Sequence, residues 1–574
     1  MRASYFQPVL AFLAFLSLAL SWSLGMPLLS AADEPEHVVK AAAVVRGEFS
    51  GPSKVIDFAG WQHTYTSPDF LEETYRLPHS LVEALAVHDP QCYMFRMDVA
   101  ADCTVSANKA KELHAQDSAT SHMNYFPLYY AAVGWPSLIF SGDAAIYGMR
   151  IASSVITALM LAAAFTTSIR RRGAAALGVL AAATPEAVYF GAVVNPSGLE
   201  ISSAVLAWAS LLSLVRAEPG ASGIRRDRIM FAVSAAVLIV VRPLGPVWLA
   251  VIVAAVLGTS TGLRDRMGRT LRTPGARWTS GLLTLSLIAA GIWDLTQNTM
   301  GMTPETAPGY TLAKGAYLTM FQTPGFLAQM LGTIGWIDVR VPTLTTMFWY
   351  GAIAALLLLS LVLGNRRERV VLLALTALIV LFPIAFEAYA GTGYGIGWQG
   401  RYDLPLAVGL PILGAEILVR RLSGTAWGAV PRALSTTFGA TLAIAYLCEV
   451  WWAWRRYAQG VVTGPLVPLH PQWSPPIGWP ATLTLATAGC AALLILLRSS
   501  SRIAPVDHSN TGKIPGAGAT DPIRTDRPNA RPADRRPASR GRGDPRVGDD
   551  GAYLVPALVR ATATYDKWLR DIVH

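Results

Sequence analysis

The stretch PVLAFLAFLSLALSWSLGMPLLSAADEPEH, residues 8–37, predicts the class of protein to which this chain belongs. Residues 8–29 carry no charged side chain, and at about 1.5 Å per helical residue they can cross ~30 Å of hydrocarbon. Four ionisable residues follow at once: Asp33, Glu34, Glu36 and His37. A cleaved signal peptide is the alternative for this apolar run, but its length and the many later runs favour a retained helix.

Apolar runs recur along the whole chain. Of its 574 residues, 52% are hydrophobic and only 15% are charged, where a soluble protein has about a quarter charged. Further candidate spans cover 145–168, 173–194, 199–216, 228–241, 245–258, 278–294, 342–363, 369–388, 403–419, 433–453 and 478–497. We therefore predict an all-α, polytopic membrane protein with about twelve spans. The short pair within 228–258 is either two spans or a re-entrant hairpin, which leaves ten to twelve.

Basic loops predict the orientation of these spans. Arginine-rich loops at 170–172, 225–228, 264–277, 366–367 and 420–421 all fall on one side, which the positive-inside rule makes cytoplasmic. We expect both termini in the cytoplasm of a plasma-membrane protein. The net charge of +10 then reflects orientation, lipid headgroups and the tail, and we expect no nucleic-acid partner.

The same topology divides the chain into four regions. These are a first transmembrane helix (1–29), an extracytoplasmic loop with interfacial helices (30–144), a multi-span domain (145–497) and a cytoplasmic tail (498–574). The tail is rich in Pro and Arg and predicts disorder, with a terminal stretch that fits an amphipathic helix. The remaining outer segments are 295–341, 389–402 and 454–477.

Two features of the first outer loop stand out. Its aromatic segment 124–140 is broken by Pro127 and Pro136, and counting it as a span would place the arginines at 170–172 outside. We predict that this segment lies on the outer leaflet. Cys92 and Cys103 share the loop in an oxidising compartment, so we predict a disulfide between them.

The DEPEH sequence at 33–37 supports two hypotheses. In the first, Asp33 caps a helix, Pro35 occupies its first turn, and Glu36 completes a capping box. In the second, a carboxylate at the lipid–water boundary acts as a general base on an acceptor hydroxyl. The two hypotheses are compatible, and the decision depends on which other polar groups converge there.

Polar residues also occur in other turns on the predicted outer side. They are Asn195, Ser197, Glu200, Arg242, Asp338, Arg340, Gln399, Arg401, Tyr402 and Asp403. Helix connections and interfacial anchors explain each of them singly. We assign no functional role to the acidic residues within the predicted spans, which are Glu186, Glu387, Glu416 and Glu449.

Cofactor motifs are sparse. No pair of histidines has metal-ligand spacing, and there is neither a Walker loop nor a dinucleotide glycine fingerprint. A nucleotide-driven pump is therefore not expected. A divalent ion that bridges Asp33 and a lipid phosphate is the one cofactor hypothesis.

Six motifs together resemble a known family. DEPEH (33–37), YFPLYYAAVGWP (125–136), YGMRIASSV (147–155), VNPSGLE (194–200), GWIDVRVP (335–342) and WQGRYDLP (398–405) are similar to actinobacterial membrane proteins grouped as domain of unknown function 2142. More remotely, the chain resembles the GT-C superfamily of integral-membrane glycosyltransferases. The resemblance covers most of 8–497. Ser197 stands where the family's Asn-Pro turn would place an acid.

The GT-C resemblance implies a mechanism. A polyprenyl-phosphate sugar would be the donor, and an envelope glycan, lipid or protein would be the acceptor. Asp33 would be the base, with Glu34 as second candidate, and Arg401, then Arg242, would hold the donor phosphate. The further substrate-binding candidates are Gln399, Tyr402, Asn195, His37 and Asp338. The aromatic segment 125–135 would help to hold sugar or lipid.

The sequence is also compatible with two other classes of protein. Twelve spans also suit a transporter or flippase of a lipid-linked or small solute. We find no internal repeat of the kind common in such carriers, and the first outer loop is large for one. A non-catalytic scaffold of envelope assembly is the third class. The oligomeric state is left open.

Overall fold

The fold is mostly helical, as the sequence predicted, and was obtained as a computed structural model. The structure describes residues 2–51, 53–56, 70–103, 117–122, 124–171, 173–217, 222–260, 274–297, 310–390, 397–422, 430–461, 466–468 and 470–500. The tail predicted for 498–574 lies almost entirely outside these residues, and so does most of the basic loop 264–277.

The helices follow one another in this order: α1 Arg2–Ser23, α2 Glu34–Val44, α3 His79–Val87, α4 Pro127–Gly134, α5 Gly142–Arg171, α6 Ala176–Ala182, α7 Pro185–Ala192, α8 Pro196–Arg216, α9 Ile224–Val241, α10 Gly245–Gly258, α11 Pro274–Gln297, α12 Leu312–Gly332, α13 Thr343–Leu363, α14 Arg366–Ala390, α15 Gly400–Ala407, α16 Gly409–Leu422, α17 Val430–Gln459 and α18 Trp479–Ser500. Short 3-10 turns cover Pro90–Cys92, Trp135–Leu138 and Gly173–Ala175.

Two small antiparallel sheets accompany the helices. Strands β1 Ser53–Ile56, β2 Phe70–Arg76 and β3 Asp117–Thr120 form one sheet in the order β1-β2-β3, within the first outer loop. Strands β4 Thr333–Ile334 and β5 Val339–Arg340 form the other. Cys92 and Cys103 form a disulfide in the first outer loop, with their Cα atoms 5.9 Å apart. The sequence predicted the bridge but neither sheet.

Eight helical stretches among the described residues are long and apolar enough to span a membrane: 6–23, 142–171, 196–216, 274–297, 343–363, 366–389, 400–422 and 479–499. The polytopic class is thus confirmed, although fewer stretches than twelve meet this criterion. The predicted span 173–194 is divided into α6 and α7. Pro185 stops α6 from continuing, and Thr184 caps α7 by accepting a hydrogen bond from the Ala187 amide at 3.1 Å.

Two of the predicted basic loops, 366–367 and 420–421, meet at one end of the bundle, as expected for a common side. Arg420 and Arg421 both pair with Glu368 near the start of α14. At the end of α10, the Ser260 carbonyl accepts a hydrogen bond from Arg367 at 3.1 Å. With 14 residues, α10 is apolar but shorter than the eight stretches that are long enough to span a membrane.

The outer segment 295–341 contains a helix that the sequence did not predict. At the start of α12, Tyr310 donates a hydrogen bond to the Glu387 carbonyl at 2.7 Å. At its end, Gln329 accepts from the Gly400 amide at 2.7 Å. Glu387 and Gly400 flank the same loop between α14 and α15, so both ends of α12 lie on that side of the bundle.

The aromatic segment 124–140 folds as the eight-residue helix α4 and a 3-10 turn. Eight residues are too few to span hydrocarbon. Tyr129 and Tyr130 are buried against the bundle. A β-carbon on Gly134 would lie 2.2 Å from the Ala41 carbonyl oxygen, so only glycine permits this close approach of α4 to α2.

Thiol labelling tests the predicted orientation. In a background without Cys448 and Cys490, Ala110→Cys and Gly397→Cys should react with an impermeant maleimide in intact cells. Thr270→Cys should react only after lysis, because its loop is basic. Labelling of the Thr270 variant in intact cells, together with protection of the Gly397 variant, would show that the predicted orientation is wrong and that the protein has the inverse topology.

Candidate functional site

Asp33 lies at the junction between α1 and α2, in a backbone conformation that is uncommon for a residue with a side chain. Its φ is 63° and its ψ is 3°, in the left-handed region that asparagine, aspartate and glycine tolerate best. Although it occupies the N-cap position of α2, its side chain makes no capping hydrogen bond. The capping-box hypothesis is therefore wrong for Asp33, and its carboxylate points elsewhere.

The other half of the capping box is also absent. The Glu36 carboxylate accepts hydrogen bonds from the Ser121 amide at 3.1 Å and from the Ser121 hydroxyl. It also lies 2.5 Å from His122 Nδ1. Glu36 thus fixes the segment that follows β3 against α2, and it orients the His122 ring.

Asp33 pairs with an arginine from the far end of the sequence. Arg401 Nη2, in the first turn of α15, donates a hydrogen bond to Asp33 Oδ2 across a separation of 368 residues. The same oxygen lies 4.0 Å from His122 Nε2. The first outer loop and the WQGRYDLP motif, two of the sequence candidates, therefore meet in one site.

Arg401 is almost fully buried, with 4% of its side chain exposed. Its guanidinium lies over the rings of Phe190 and Tyr402, at 5.0 Å and 5.2 Å from their centroids. Its Nε and Nη1 atoms have no hydrogen-bond partner among the described residues. Buried polar groups are normally satisfied, so this guanidinium retains donors for an anionic group.

A second arginine stands beside the first. Arg242, in the turn between α9 and α10, donates hydrogen bonds to the Ser197 hydroxyl at 2.7 Å and to the Tyr125 hydroxyl at 3.1 Å. It also lies 3.6 Å from Glu200 and stacks over the Tyr402 ring at 4.5 Å. Tyr402 is thus held between the two guanidinium groups. Ser197, which departs from the family pattern, here accepts a bond from Arg242.

Two histidines complete the cluster. The rings of His37 and His122 approach edge to face, with centroids 4.3 Å apart, and His122 also stacks on Tyr125 at 5.4 Å. His37 Nδ1 lies 3.0 Å from the Tyr130 hydroxyl. One ligating atom from each of Asp33, His37 and His122 lies within 4.8 Å of the others.

The charges in the cluster set its ionisation. Burial alone would raise the pKa of Asp33, but Arg401 and His122 hold that pKa below its usual value. Burial alone would lower the pKa of His122, whereas the Glu36 and Asp33 carboxylates raise it. Burial, together with the charge of His122, puts the pKa of His37 well below its usual value.

Glu34 has a different environment from its neighbour. Both of its oxygens bind Arg150, at 2.6 Å from Nε and 2.5 Å from Nη2, and all of these groups are fully buried. Arg150 also donates hydrogen bonds to three backbone carbonyls, those of Ser23, Met26 and Pro27. The pair locks the end of α1 to α5, which is a structural role.

The other sequence candidates fall around the site or beside it. Asn195 caps α8 and donates a hydrogen bond to the Ala32 carbonyl at 3.1 Å, so it supports the backbone next to Asp33. Gln399 precedes Arg401 with a buried side-chain oxygen that has no described partner. Asp338 accepts from the Phe95 and Trp336 amides, each at 3.0 Å, and these contacts give no support to a substrate-binding role.

The sequence did not identify the partners that define these environments. Arg150 lies in the YGMRIASSV motif, but the sequence did not predict its ion pair with Glu34, because the two residues are 116 positions apart. His122 and Glu36 are separated by 86 residues. The one available signal was local: His122 directly precedes the aromatic segment whose Tyr125 stacks on it.

Fold and site together define a polytopic helical membrane protein with a charged and aromatic cluster at one end of its bundle. The chain belongs to the family described as predicted membrane protein (DUF2142), which matches residues 15–410. Family membership confirms the sequence resemblance, while an actinobacterial source stays a prediction.

Comparison with solved structures gives a similarity to the crystal structure of ArnT from Cupriavidus metallidurans in the apo state. The identity is 12%, the TM-score is 0.40, and the match covers 87% of this chain and 78% of that chain. The comparison with curated proteins gives no match.

Proposed function

We propose that this chain is a GT-C-like glycosyltransferase that moves a sugar from a polyprenyl-phosphate donor to an envelope glycan, lipid or protein acceptor. Transfer takes place on the outer face of the plasma membrane. The observation that carries the proposal is the contact between Asp33 and Arg401, with Arg242 beside them. A carboxylate next to one buried and one largely buried guanidinium group provides a base and an anion site within one cluster.

In the proposed reaction, the donor phosphate binds the Nε and Nη1 atoms of Arg401, which have no partner among the described residues, and the charge of Arg242 beside them attracts it further. The bound phosphate offsets part of the positive charge of Arg401, so this guanidinium holds Asp33 less firmly as a carboxylate and Asp33 accepts a proton more readily. The acceptor hydroxyl gives that proton to Asp33 while its oxygen bonds to the anomeric carbon. The bond from that carbon to the phosphate oxygen breaks, and polyprenyl phosphate leaves with the electron pair.

Aromatic side chains support the same site. Tyr402 is held between the two arginines, and Tyr125 stacks on His122 and bonds Arg242. Aromatic faces with hydroxyl groups can contact both sugar and lipid while they stay anchored by hydrogen bonds. The apolar faces of the surrounding helices would accommodate the prenyl chain.

Proteoliposomes that contain the purified chain and a radiolabelled polyprenyl-phosphate sugar test the proposal. Transfer of label to an added membrane-lipid or glycan acceptor fraction is the expected result. Movement of the labelled lipid across the bilayer without transfer would instead indicate a carrier. Neither transfer nor movement would indicate a scaffold.

Arg401→Lys separates a phosphate fork from a charged anchor. Lysine keeps the charge but loses the planar fork, so donor affinity should fall ~10–100-fold, which corresponds to ~1–3 kcal/mol. Donor binding and transfer rate are measured beside wild type, with folding checked by thermal shift. The matched control is Arg340→Lys at an exposed position of β5, which should bind donor normally. Unchanged donor affinity in the Arg401 variant would show that Arg401 does not hold the phosphate, and Arg242 would then be the candidate for this role.

A further inference from the structure

A pair of histidines beside Asp33 has the geometry of a metal site. The sequence showed no ligand spacing because His37 lies in α2 and His122 follows β3, and only the fold brings their rings to a centroid distance of 4.3 Å. Ligand atoms of Asp33, His37 and His122 lie within 4.8 Å of one another. From this geometry we propose that these three side chains bind one divalent transition-metal ion.

The hydrogen bonds of the two rings leave one nitrogen on each for an ion. His122 Nδ1 is held by Glu36 at 2.5 Å, and His37 Nδ1 is held by the Tyr130 hydroxyl at 3.0 Å. Histidines that ligate metals usually have their second nitrogen fixed in this way by a carboxylate or another polar group. The two Nε2 atoms are then the ligating atoms, and His122 Nε2 already lies 4.0 Å from Asp33 Oδ2.

Distance and charge are compatible with an ion. Bonds of ~2.0–2.2 Å place the ligands of a tetrahedral site roughly 3.5 Å apart, so the side chains need to approach one another by about 1 Å. Arg401 donates one hydrogen bond to the Asp33 carboxylate, and a carboxylate has enough lone pairs to accept this bond and ligate an ion as well. Glu36, next to His122, adds a second negative charge to offset the two arginines.

The ligand set selects the class of ion. Two imidazoles and one carboxylate favour Zn²⁺, Co²⁺, Mn²⁺ or Fe²⁺ over Mg²⁺ and Ca²⁺, which prefer oxygen ligands. Three protein ligands leave coordination positions open, as in catalytic rather than structural zinc sites. An ion at this position would lie beside Arg401, where the proposed donor phosphate binds, but its binding does not depend on the proposed transfer.

Metal content of the purified full-length chain tests the proposal. The protein is prepared with a tag that contains no histidine, stripped with a chelator and dialysed against Zn²⁺. Mass spectrometry of the metal should find one ion per chain, and Co²⁺ should give visible absorption bands. A wild-type chain that retains no ion after dialysis would overturn the proposal.

Variants assign the ligands. His37→Ala and His122→Ala should each lose the ion and the visible Co²⁺ bands. The matched control is His88→Ala, because His88 forms a separate pair with Asp143 at 3.0 Å in the same outer region and should leave the metal content unchanged. Equal metal content in all three variants would refute this site.

A milder variant covers the case in which the alanine variants fail to fold. Glu36→Gln keeps the shape of the side chain but weakens its hold on His122 Nδ1, so Co²⁺ affinity should fall ~10–100-fold. Thermal shift with and without Zn²⁺ reports the same loss independently of donor or transfer. Unchanged Co²⁺ affinity in folded Glu36→Gln would contradict the assigned ring geometry and overturn the proposal.

Discussion

Asp33→Asn should lower the rate of sugar transfer ~100-fold or more while the protein remains folded. Asparagine fits the left-handed backbone at this position and keeps the size of the side chain, but it cannot accept the acceptor proton. The Asp33 side chain is a quarter exposed, so the loss of its charge costs less stability than at a fully buried ion pair. The measurement is single-turnover transfer from labelled donor, with thermal shift on the same sample.

Asp33 is also proposed as a metal ligand, so two effects must be separated. Metal content and donor affinity are measured in parallel with transfer. A rate that stays slow when the variant is saturated with Zn²⁺, at unchanged donor affinity, assigns the loss to the proton acceptor. Transfer at the wild-type rate would exclude Asp33 as the base.

Glu34→Gln, one residue away, should instead destabilise the fold. Its carboxylate and the Arg150 guanidinium are both fully buried, and removal of the charge leaves that guanidinium without a counter-ion. Loss of one partner from a buried pair costs ~3–5 kcal/mol, which is a large part of the stability of a typical domain. Thermal shift and protease resistance in detergent should both show the loss.

The two substitutions act as controls for each other. Each one replaces a carboxylate by its amide, at adjacent positions and with the same change in charge. A Glu34→Gln protein with wild-type stability and strongly reduced transfer would contradict the structural role of Glu34 and make Glu34 the candidate base. Rescue of folding by a second change, Arg150→Gln, would support the ion pair as the cause.

Much of the architecture follows from the sequence. The predicted spans 145–168 and 199–216 fall within α5 and α8, and 342–363 begins one residue before α13. Length and hydropathy are sufficient here because hydrocarbon imposes one requirement on every span: its backbone hydrogen bonds must be satisfied within the helix. The division of 173–194 was missed because hydropathy is insensitive to a proline in an otherwise apolar run.

Sequence patterns did not predict the helix and strands in the segments that they placed outside the hydrocarbon. The helix α12 and the sheet of β1, β2 and β3 have no long apolar period, and tertiary contacts decide their structure. The end of α12, for example, is fixed by the Gln329 contact to the Gly400 amide. Such partners lie too far apart along the chain for local patterns to reveal them.

By itself, the sequence determined the class of the protein, the positions of most helices and the residue types at its outer turns. Local composition fixes these properties, since each apolar run must be buried or placed in lipid. Only the tertiary structure decided which of two adjacent acids is locked in a buried ion pair and which meets Arg401. Because φ is positive at Asp33 and α2 begins directly after it, the Asp33 and Glu34 side chains diverge, and that divergence depends on partners 368 and 116 residues away.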